Sequence, residues 1–213
     1  MITMLRLCFV FLLALPLKAA WLKDLDAARK LAATEERDIY LIFTSLQVSG
    51  ACVQLEKRVL SQESFQQAVA GKFVLVHLDV PLQQKPGMIS PLAANRIVAK
   101  SFGVDSYPTA HYLDSQGRSY AVETGALIGG PEDYAKHLLQ KFAEQKGRNG
   151  ALQEAYQKEG LERAKAIIEV LKRVPKGASA DLYASHMGEL AKVDPDDTLG
   201  FRRKRLAEEG FRD

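Results

Sequence analysis

The most informative segment of the chain reads Ser49-Gly50-Ala51-Cys52-Val53-Gln54-Leu55-Glu56-Lys57-Arg58-Val59-Leu60. Its first four residues have the spacing of a CxxC pair, with a hydroxyl in place of the first thiol. Two thiols at this spacing can cycle through an intramolecular disulfide. A serine and a cysteine cannot form that bond. The segment therefore raises the question of whether this chain carries dithiol chemistry, single-thiol chemistry or neither.

Strand and helix patterns alternate on both sides of this segment. Apolar, β-branched and aromatic runs predict strands buried on both faces, and a turn at 114–117 predicts a hairpin. The strands are expected at residues 39–44, 73–80, 109–113 and 118–123. Helical periodicity is found at residues 21–33, 50–59, 61–70, 92–102 and 131–144, and a loop is expected at 81–91. The order α-β-α-α-β-α-β-β-α predicts an α/β fold whose sheet has parallel pairs and an antiparallel edge.

The character of the chain changes after Gly147, because no strand-like run follows. Short helices are expected at residues 152–156, 161–171 and 179–190, and a fourth is expected to open at Asp194-Pro195-Asp196. We therefore divide the chain into a leader at 1–19, an α/β domain at 20–147 and a small all-α C-terminal appendage at 148–213.

The first 19 residues have the features of a secretory signal peptide. Arg6 precedes a short apolar run at residues 7–15, which Pro16 ends, and small residues follow at Ala19 and Ala20. The run is too short for a permanent transmembrane helix. An uncleaved anchor is the alternative, because Leu17 or Lys18 would occupy the third position before the cut. We predict export to the periplasm or cell envelope of a bacterium, with no stable membrane span after cleavage.

Composition disfavours several classes of function. The formal net charge is +3, and removal of the leader takes away two positive charges, so nucleic-acid binding is not expected. The four histidines are His77, His111, His137 and His186, and none has metal-ligand spacing with another. We predict neither a metal nor another cofactor.

Cys52 is the only cysteine expected in the mature chain, because Cys8 lies in the leader. An odd cysteine in an exported protein suggests pairing with another molecule or a reactive free thiol. The alternative is a buried cysteine that acts as a small apolar residue. The sequence pattern leaves both open.

Four segments together resemble the thioredoxin-like superfamily, and more closely its exported bacterial branch, over about residues 21–145. Phe43-Thr44 ends the first strand, and Ser49 to Leu60 matches C-x-x-C-x-x-L-E-K-x-V-[LF]. Gly103-Val104-Asp105-Ser106-Tyr107-Pro108-Thr109 matches G-V-x-x-Y-P-T, and Asp114-Ser115-Gln116-Gly117 matches the hairpin turn D-x-x-G. The resemblance implies a thioredoxin-like fold, a central mixed sheet flanked by helices.

The resemblance also implies where a partner would bind. In the family the proline at the position of Pro108 is cis and faces the redox motif, and the backbone beside it pairs with extended polypeptide. Carried over to this chain, Tyr107, Pro108, Gly50 and Ala51 would form the substrate-binding surface. Protein or peptide segments are then the expected partners.

The chain departs from the family at the positions that carry the chemistry. Ser49 replaces the nucleophilic cysteine, and we expect its hydroxyl to cap the helix instead. The buried acid of the family falls at Ile42 or Phe43, neither of which accepts a proton. Val48 replaces a tryptophan, and Ala51 replaces a proline or an aromatic residue. Cys52 is expected on the buried side of the helix, where a thiol holds little thiolate and reacts slowly.

These observations favour an exported thioredoxin-like protein with a degenerate redox motif. It would lack dithiol oxidoreductase activity and bind polypeptide partners near Ser49 and Pro108. One alternative is a single-thiol oxidoreductase, active in envelope redox homeostasis, that forms mixed disulfides through Cys52. Another is a structural assembly module whose interface is the helical tail.

Overall fold

The computed structural model describes residues 20–81, 91–174 and 180–208. Helices and strands follow the order predicted for the first part of the chain, and an α/β thioredoxin-like fold with additional C-terminal helices is confirmed. The elements are α1 (Leu25–Glu35), β1 (Asp38–Thr44), α2 (Gly50–Leu55) with a π-helical continuation (Glu56–Leu60), α3 (Glu63–Ala70), β2 (Phe73–Asp79), α4 (Pro91–Ser101), β3 (Thr109–Leu113), β4 (Ser119–Thr124), α5 (Pro131–Tyr156), α6 (Gly160–Leu171), α7 (Ala180–Val193) and α8 (Phe201–Glu208). The predicted leader and most of the loop expected at 81–91 lie outside the described residues.

The four strands form one mixed sheet in the order β2-β1-β3-β4. β1 and β2 are parallel, so that Thr44 lies opposite Asp79, whereas β3 is antiparallel to both β1 and β4. The carboxyl ends of β1, β2 and β4 therefore meet the amino end of β3. We call this the motif end of the sheet, because Ser49 follows β1 there.

Two apolar layers cover the sheet, because successive side chains of a strand point to opposite faces. Tyr40 and Ile42 belong to a core formed with α3, α5 and the C-terminal helices. Ile39, Leu41 and Phe43 belong to a second core, formed with α1 and α4. Every residue of β1 is buried, as its continuous apolar pattern predicted.

The first helix begins later than predicted. We expected it to start at Trp21, but α1 starts at Leu25, because the Asp24 carboxylate accepts the Asp26 N–H at 2.8 Å and caps the helix. Leu22 instead forms a short parallel bridge with β2, opposite Val76. Trp21 leaves the helical pattern to donate its indole N–H to the Leu60 carbonyl at 2.8 Å.

Helix α5 is longer than predicted. We expected a helix to about Glu144 and a separate short helix at 152–156, but one helix runs from Pro131 to Tyr156. Glycine weakens a helix by about 1 kcal/mol without ending it, so Gly147 and Gly150 are tolerated. Buried residues of the same helix, including Leu138, Leu152 and Ala155, hold it against the common core. The predicted domain boundary at 147 falls inside this helix, and the division into two domains stays a prediction.

The last helix also begins later than predicted. Asp194-Pro195-Asp196 does not open it; these residues form a turn, and α8 starts at Phe201. Asp197 accepts the backbone N–H groups of Arg202 and Arg203 at 3.1 and 3.0 Å. The Arg202 side chain donates to two carbonyls of the turn at 2.7 Å. Arg202 and Arg203 therefore anchor this helix to the turn that precedes it.

No helix in residues 20–81, 91–174 and 180–208 is long and apolar enough to cross a membrane.

Candidate functional site

Ser49 lies at the start of α2, where a thioredoxin-like enzyme would carry its nucleophile. Its Oγ accepts the Cys52 N–H at 3.3 Å, and its backbone is extended, which is the geometry of a helix N-cap. The Ser49 N–H donates to the Ser45 carbonyl at 2.9 Å. None of the described histidines hydrogen-bonds to this hydroxyl, because each contacts another group. Ser49 therefore has no histidine that would activate it. The hydroxyl thus stabilises the helix start.

Cys52 lies one helical turn further and has no solvent-exposed surface. Its thiol is free, and Sγ accepts a weak hydrogen bond from the Ser45 N–H at 3.5 Å. Gly50 and Ala51, which precede it, are exposed. The motif therefore presents backbone and a methyl group to solvent while the sulfur faces the interior.

Pro108 lies at the same end of the sheet, directly before β3. The Tyr107–Pro108 peptide bond is cis, and the Pro108 carbonyl accepts the Gly125 N–H at 2.8 Å. Tyr107 is half-buried. Burial raises the pKa of its phenol, the positive charge of Arg96 opposes the rise, and Cys52 is near enough to add to it. The pairing of Thr109 with Phe43 thus places Tyr107 and Pro108 at the motif end of the sheet.

Four exposed apolar side chains lie in segments that follow β1 and β4 at the motif end, and we call them the apolar rim. Val48 precedes the motif and is 55% exposed, and Val53 follows Cys52 and is 43% exposed. Leu127 and Ile128 lie in the loop after β4, and Ile128 is fully exposed. The Tyr134 hydroxyl donates to the Leu127 carbonyl at 3.0 Å and fixes this loop. Surfaces of this kind, apolar and set among polar groups, are typical of protein contacts.

Leu127 and Ile128 were not among the residues predicted for this site. The signal that could have found them is Ala126-Leu127-Ile128, an apolar run between Gly125 and Gly129, in a loop that leaves the sheet at the motif end. This run is too short to form a strand and lies in a loop between glycines. Its side chains are therefore expected at the surface.

A buried polar network lies behind the motif loop. The Asp79 carboxylate accepts the Leu46 N–H at 2.8 Å and the Thr44 hydroxyl at 3.1 Å. Thr44 Oγ1 also lies 2.8 Å from Nε2 of His77, and Nδ1 of His77 lies 3.3 Å from Glu56 Oε2. Glu56 is part of the motif segment. The network therefore connects the end of β2 to the motif loop, while Glu56 of the motif helix lies beside His77 without a hydrogen bond to it.

The contact between His77 and Glu56 is not an ion pair at neutral pH. Burial, followed by the charge of Lys23, lowers the pKa of His77 to about 4, although Asp79 opposes this shift. Burial also raises the pKa of Glu56. The imidazole is therefore neutral, and one ring nitrogen donates while the other accepts. Asp79, at the end of the same strand as His77, holds the motif loop through the Leu46 N–H.

The other histidines each have a separate partner. His111 contacts Ser119 at 3.2 Å, His137 contacts Glu123 at 2.6 Å, and His186 contacts Tyr156. Among the described residues, no group of three or more His, Cys, Asp or Glu side chains could hold a metal ion.

Comparison with known proteins confirms the predicted thioredoxin-like fold. Residues 25–142, more than half of the chain, match the thioredoxin-like domain family. The thioredoxin-related protein DsbJ of Chlamydia pneumoniae is 26% identical over 115 residues, which cover 51% of this chain and 33% of DsbJ. The chain thus spans about a third of the length of that relative. The solved structure of a DsbH oxidoreductase matches with a TM-score of 0.50 at 19% identity, over 59% of this chain and 88% of that one. At this identity the match supports the fold.

Burial of Cys52 predicts slow thiol labelling at neutral pH. In a chain carrying Cys8→Ser, a maleimide should react at least a hundredfold more slowly with the native protein than with the urea-unfolded protein, because Sγ becomes accessible only when the structure opens. Mass spectrometry of timed samples measures the rate. The matched control is Cys52→Ala with Val53→Cys, which moves the thiol by one residue to an exposed position and should label fast. Rapid stoichiometric labelling of native Cys52 would refute its assignment as a closed thiol.

Acid should weaken the fold through His77. Its folded pKa of about 4 lies below the ordinary 6.5, so the unfolded chain binds the proton more readily. The stability contribution is complete above about pH 6.5 and is lost as the pH falls towards 4, by about 3 kcal/mol in total. Buried His111 adds a loss of the same sign, and Glu56 and Asp38, whose pKa values are raised, oppose both.

The variant His77→Gln isolates this contribution, since an amide can still bond to Thr44. Urea unfolding of both proteins at pH 6.5 and pH 4.5 gives the free energies of unfolding. The acid-induced loss should be about 2 kcal/mol smaller in the variant. Equal losses in the two proteins would contradict the assignment of a neutral buried His77.

Proposed function

The chain belongs to the thioredoxin-like domain family, and on that premise we propose that it is an exported protein that binds extended polypeptide segments at the motif end and lacks dithiol oxidoreductase activity. One observation carries this proposal. The motif end exposes apolar side chains and hides its only thiol. A redox enzyme of this fold instead needs an accessible thiolate at the first motif position, in contact with its substrate.

The lack of dithiol chemistry follows from the two motif positions. Ser49 cannot form a disulfide, and its oxygen already accepts the N–H of Cys52. Cys52 has no exposed surface and no second thiol within the described residues. Ile42 and Phe43, at the position of the family's buried acid, are fully buried apolar residues of the two cores.

Polypeptide binding is supported by the surface that remains around these positions. Gly50 and Ala51 are exposed, and half-buried Tyr107 lies at the same end of the sheet, so an extended segment could approach the main chain there. Exposed Val48 and Ile128, in segments that follow β1 and β4, would provide apolar contacts. Main-chain hydrogen bonds would supply affinity without strict side-chain selection, as in other forms of strand addition. The expected ligand is an unfolded or extended segment with apolar side chains.

The place of action and the tail complete the proposal. We infer export to the periplasm or cell envelope of a bacterium from the leader at 1–19, and the name of DsbJ, a thioredoxin-related protein, is compatible with a role among envelope redox proteins. The appendage at 148–213 would add a second contact surface for the partner.

Substitutions in the apolar rim test the binding proposal. Affinity for a reduced, carboxymethylated and fluorescently labelled unfolded protein can be measured by anisotropy. Ile128→Asp and Val48→Asp should each weaken binding about tenfold, or about 1.4 kcal/mol, because the carboxylate would be desolvated under the peptide. Ala33→Asp, at an exposed residue near the end of α1 and beside the amino end of β1, is the matched control and should leave affinity unchanged. Leu161→Asp, at an exposed apolar residue of α6, probes the second contact proposed for the tail.

Two other outcomes would each replace the proposal. Weaker binding in Leu161→Asp with unchanged binding in Ile128→Asp would identify the tail as the interface and favour an assembly module. Capture of partners as mixed disulfides that disappear in Cys52→Ala would favour a single-thiol oxidoreductase.

A further inference from the structure

We propose that the cleft between α5 and α6, lined by Arg148 and Arg173, binds a small organic oxyanion. The cleft has a volume of about 420 Å³, and its walls include Gly147, Ala151 and Val170. Cavities of this size accommodate small molecules. The proposal concerns a second site and is independent of polypeptide binding at the motif end.

Arg148 is the residue that points to a ligand. Its side chain is on the buried face of α5, and only 9% of the residue is exposed. Among the described residues it forms no ion pair and donates no side-chain hydrogen bond, and its Nε is both buried and unpartnered. A guanidinium is charged at every pH at which a protein is folded. Arg148 is therefore a buried positive charge without a protein counter-charge.

The acidic side chains near the cleft do not pair with Arg148, although Oδ2 of Asp38 is buried without a hydrogen bond. Asp38 accepts a hydrogen bond from Lys146 at 3.3 Å. Glu144, which lines the cleft, accepts from Gln140 at 2.9 Å and lies 3.7 Å from Lys141. Buried charges in proteins are normally paired and hydrogen-bonded. An oxyanion in the cleft would supply to Arg148 the partner that these acids do not.

The walls of the cleft indicate the kind of molecule. Arg173 is exposed and places a second guanidinium on the α6 side. Two guanidinium groups favour a carboxylate or a phosphate, which they can bind through paired hydrogen bonds. Ala151 and Val170 are small and apolar, and a β-carbon built on Gly147 would meet no atom within 4 Å. A ligand with an anionic head and a short apolar part fits this combination.

The cleft lies away from the motif. Contact of Lys146 with Asp38 places this part of α5 at the amino end of β1, opposite the motif end. Arg148 is also near Tyr120, at the start of β4: burial raises the pKa of that phenol, and the charge of Arg148 opposes the rise.

Thermal unfolding of the full chain with inorganic phosphate or with butyrate tests the site. Sodium chloride keeps the ionic strength constant. One of the two anions should raise the Tm in a saturable manner, by about 5 °C at a hundredfold excess over Kd. The anion that acts at the lower concentration identifies the head group as phosphate or carboxylate. The matched control Arg58→Met, at an exposed arginine after α2, should show the same increase.

Arg148→Met should abolish the increase and should raise the Tm measured without ligand, because it removes an unpaired buried charge. A structural arginine would behave in the opposite way, lowering the Tm without ligand. Should Arg148→Met not fold, Arg173→Met, an exposed change, should weaken anion binding about tenfold. The proposal is overturned if neither anion gives a saturable shift, or if both arginine variants keep the wild-type shift.

Discussion

The hydrogen bond from the Leu46 N–H to the Asp79 carboxylate, at 2.8 Å, fixes the geometry on which the motif depends. The parallel pairing of β1 and β2 places Thr44 opposite Asp79, so the carboxylate reaches the first turn of the loop that leaves β1. The Ser45 hydroxyl donates to the Val80 carbonyl at 2.8 Å and fixes the same loop a second time. With the loop held, the Ser45 N–H faces the sulfur of Cys52. The thiol is thus buried because hydrogen bonds join the loop after β1 to the end of β2.

The same arrangement explains how the fold persists without the dithiol. Ser49 stabilises the start of α2 by capping it. Any short polar side chain can serve this function. Cys52 keeps a packing position in the interior, where a thiol acts as a small apolar group. Neither function needs redox chemistry. Under the proposed function, selection would act on the surface around the motif, where Val48 and Ile128 remain exposed.

The features that depend on local sequence patterns were predicted correctly. The continuous apolar runs of β1 and β2, the turn at 114–117 and the four matching segments were sufficient for the sheet, the element order and the family. The features that depend on contacts between residues far apart in the chain were not predicted. The glycines of α5 suggested a break, but side chains such as Leu152 bury against the common core and hold the helix together. Glu56 and His77 are far apart in the chain, and their contact depends on strand register and helix packing that no local pattern shows.

The central claim is the absence of dithiol turnover, and reduction of insulin by dithiothreitol tests it most directly. Precipitation of the insulin B chain should proceed at the same rate with the wild-type chain as with Cys52→Ala, and no faster than without protein. Ser49→Cys, which restores the pair of thiols in the same helix, serves as the comparator for a rate that depends on a disulfide. A wild-type rate well above background that disappears in Cys52→Ala would contradict the account.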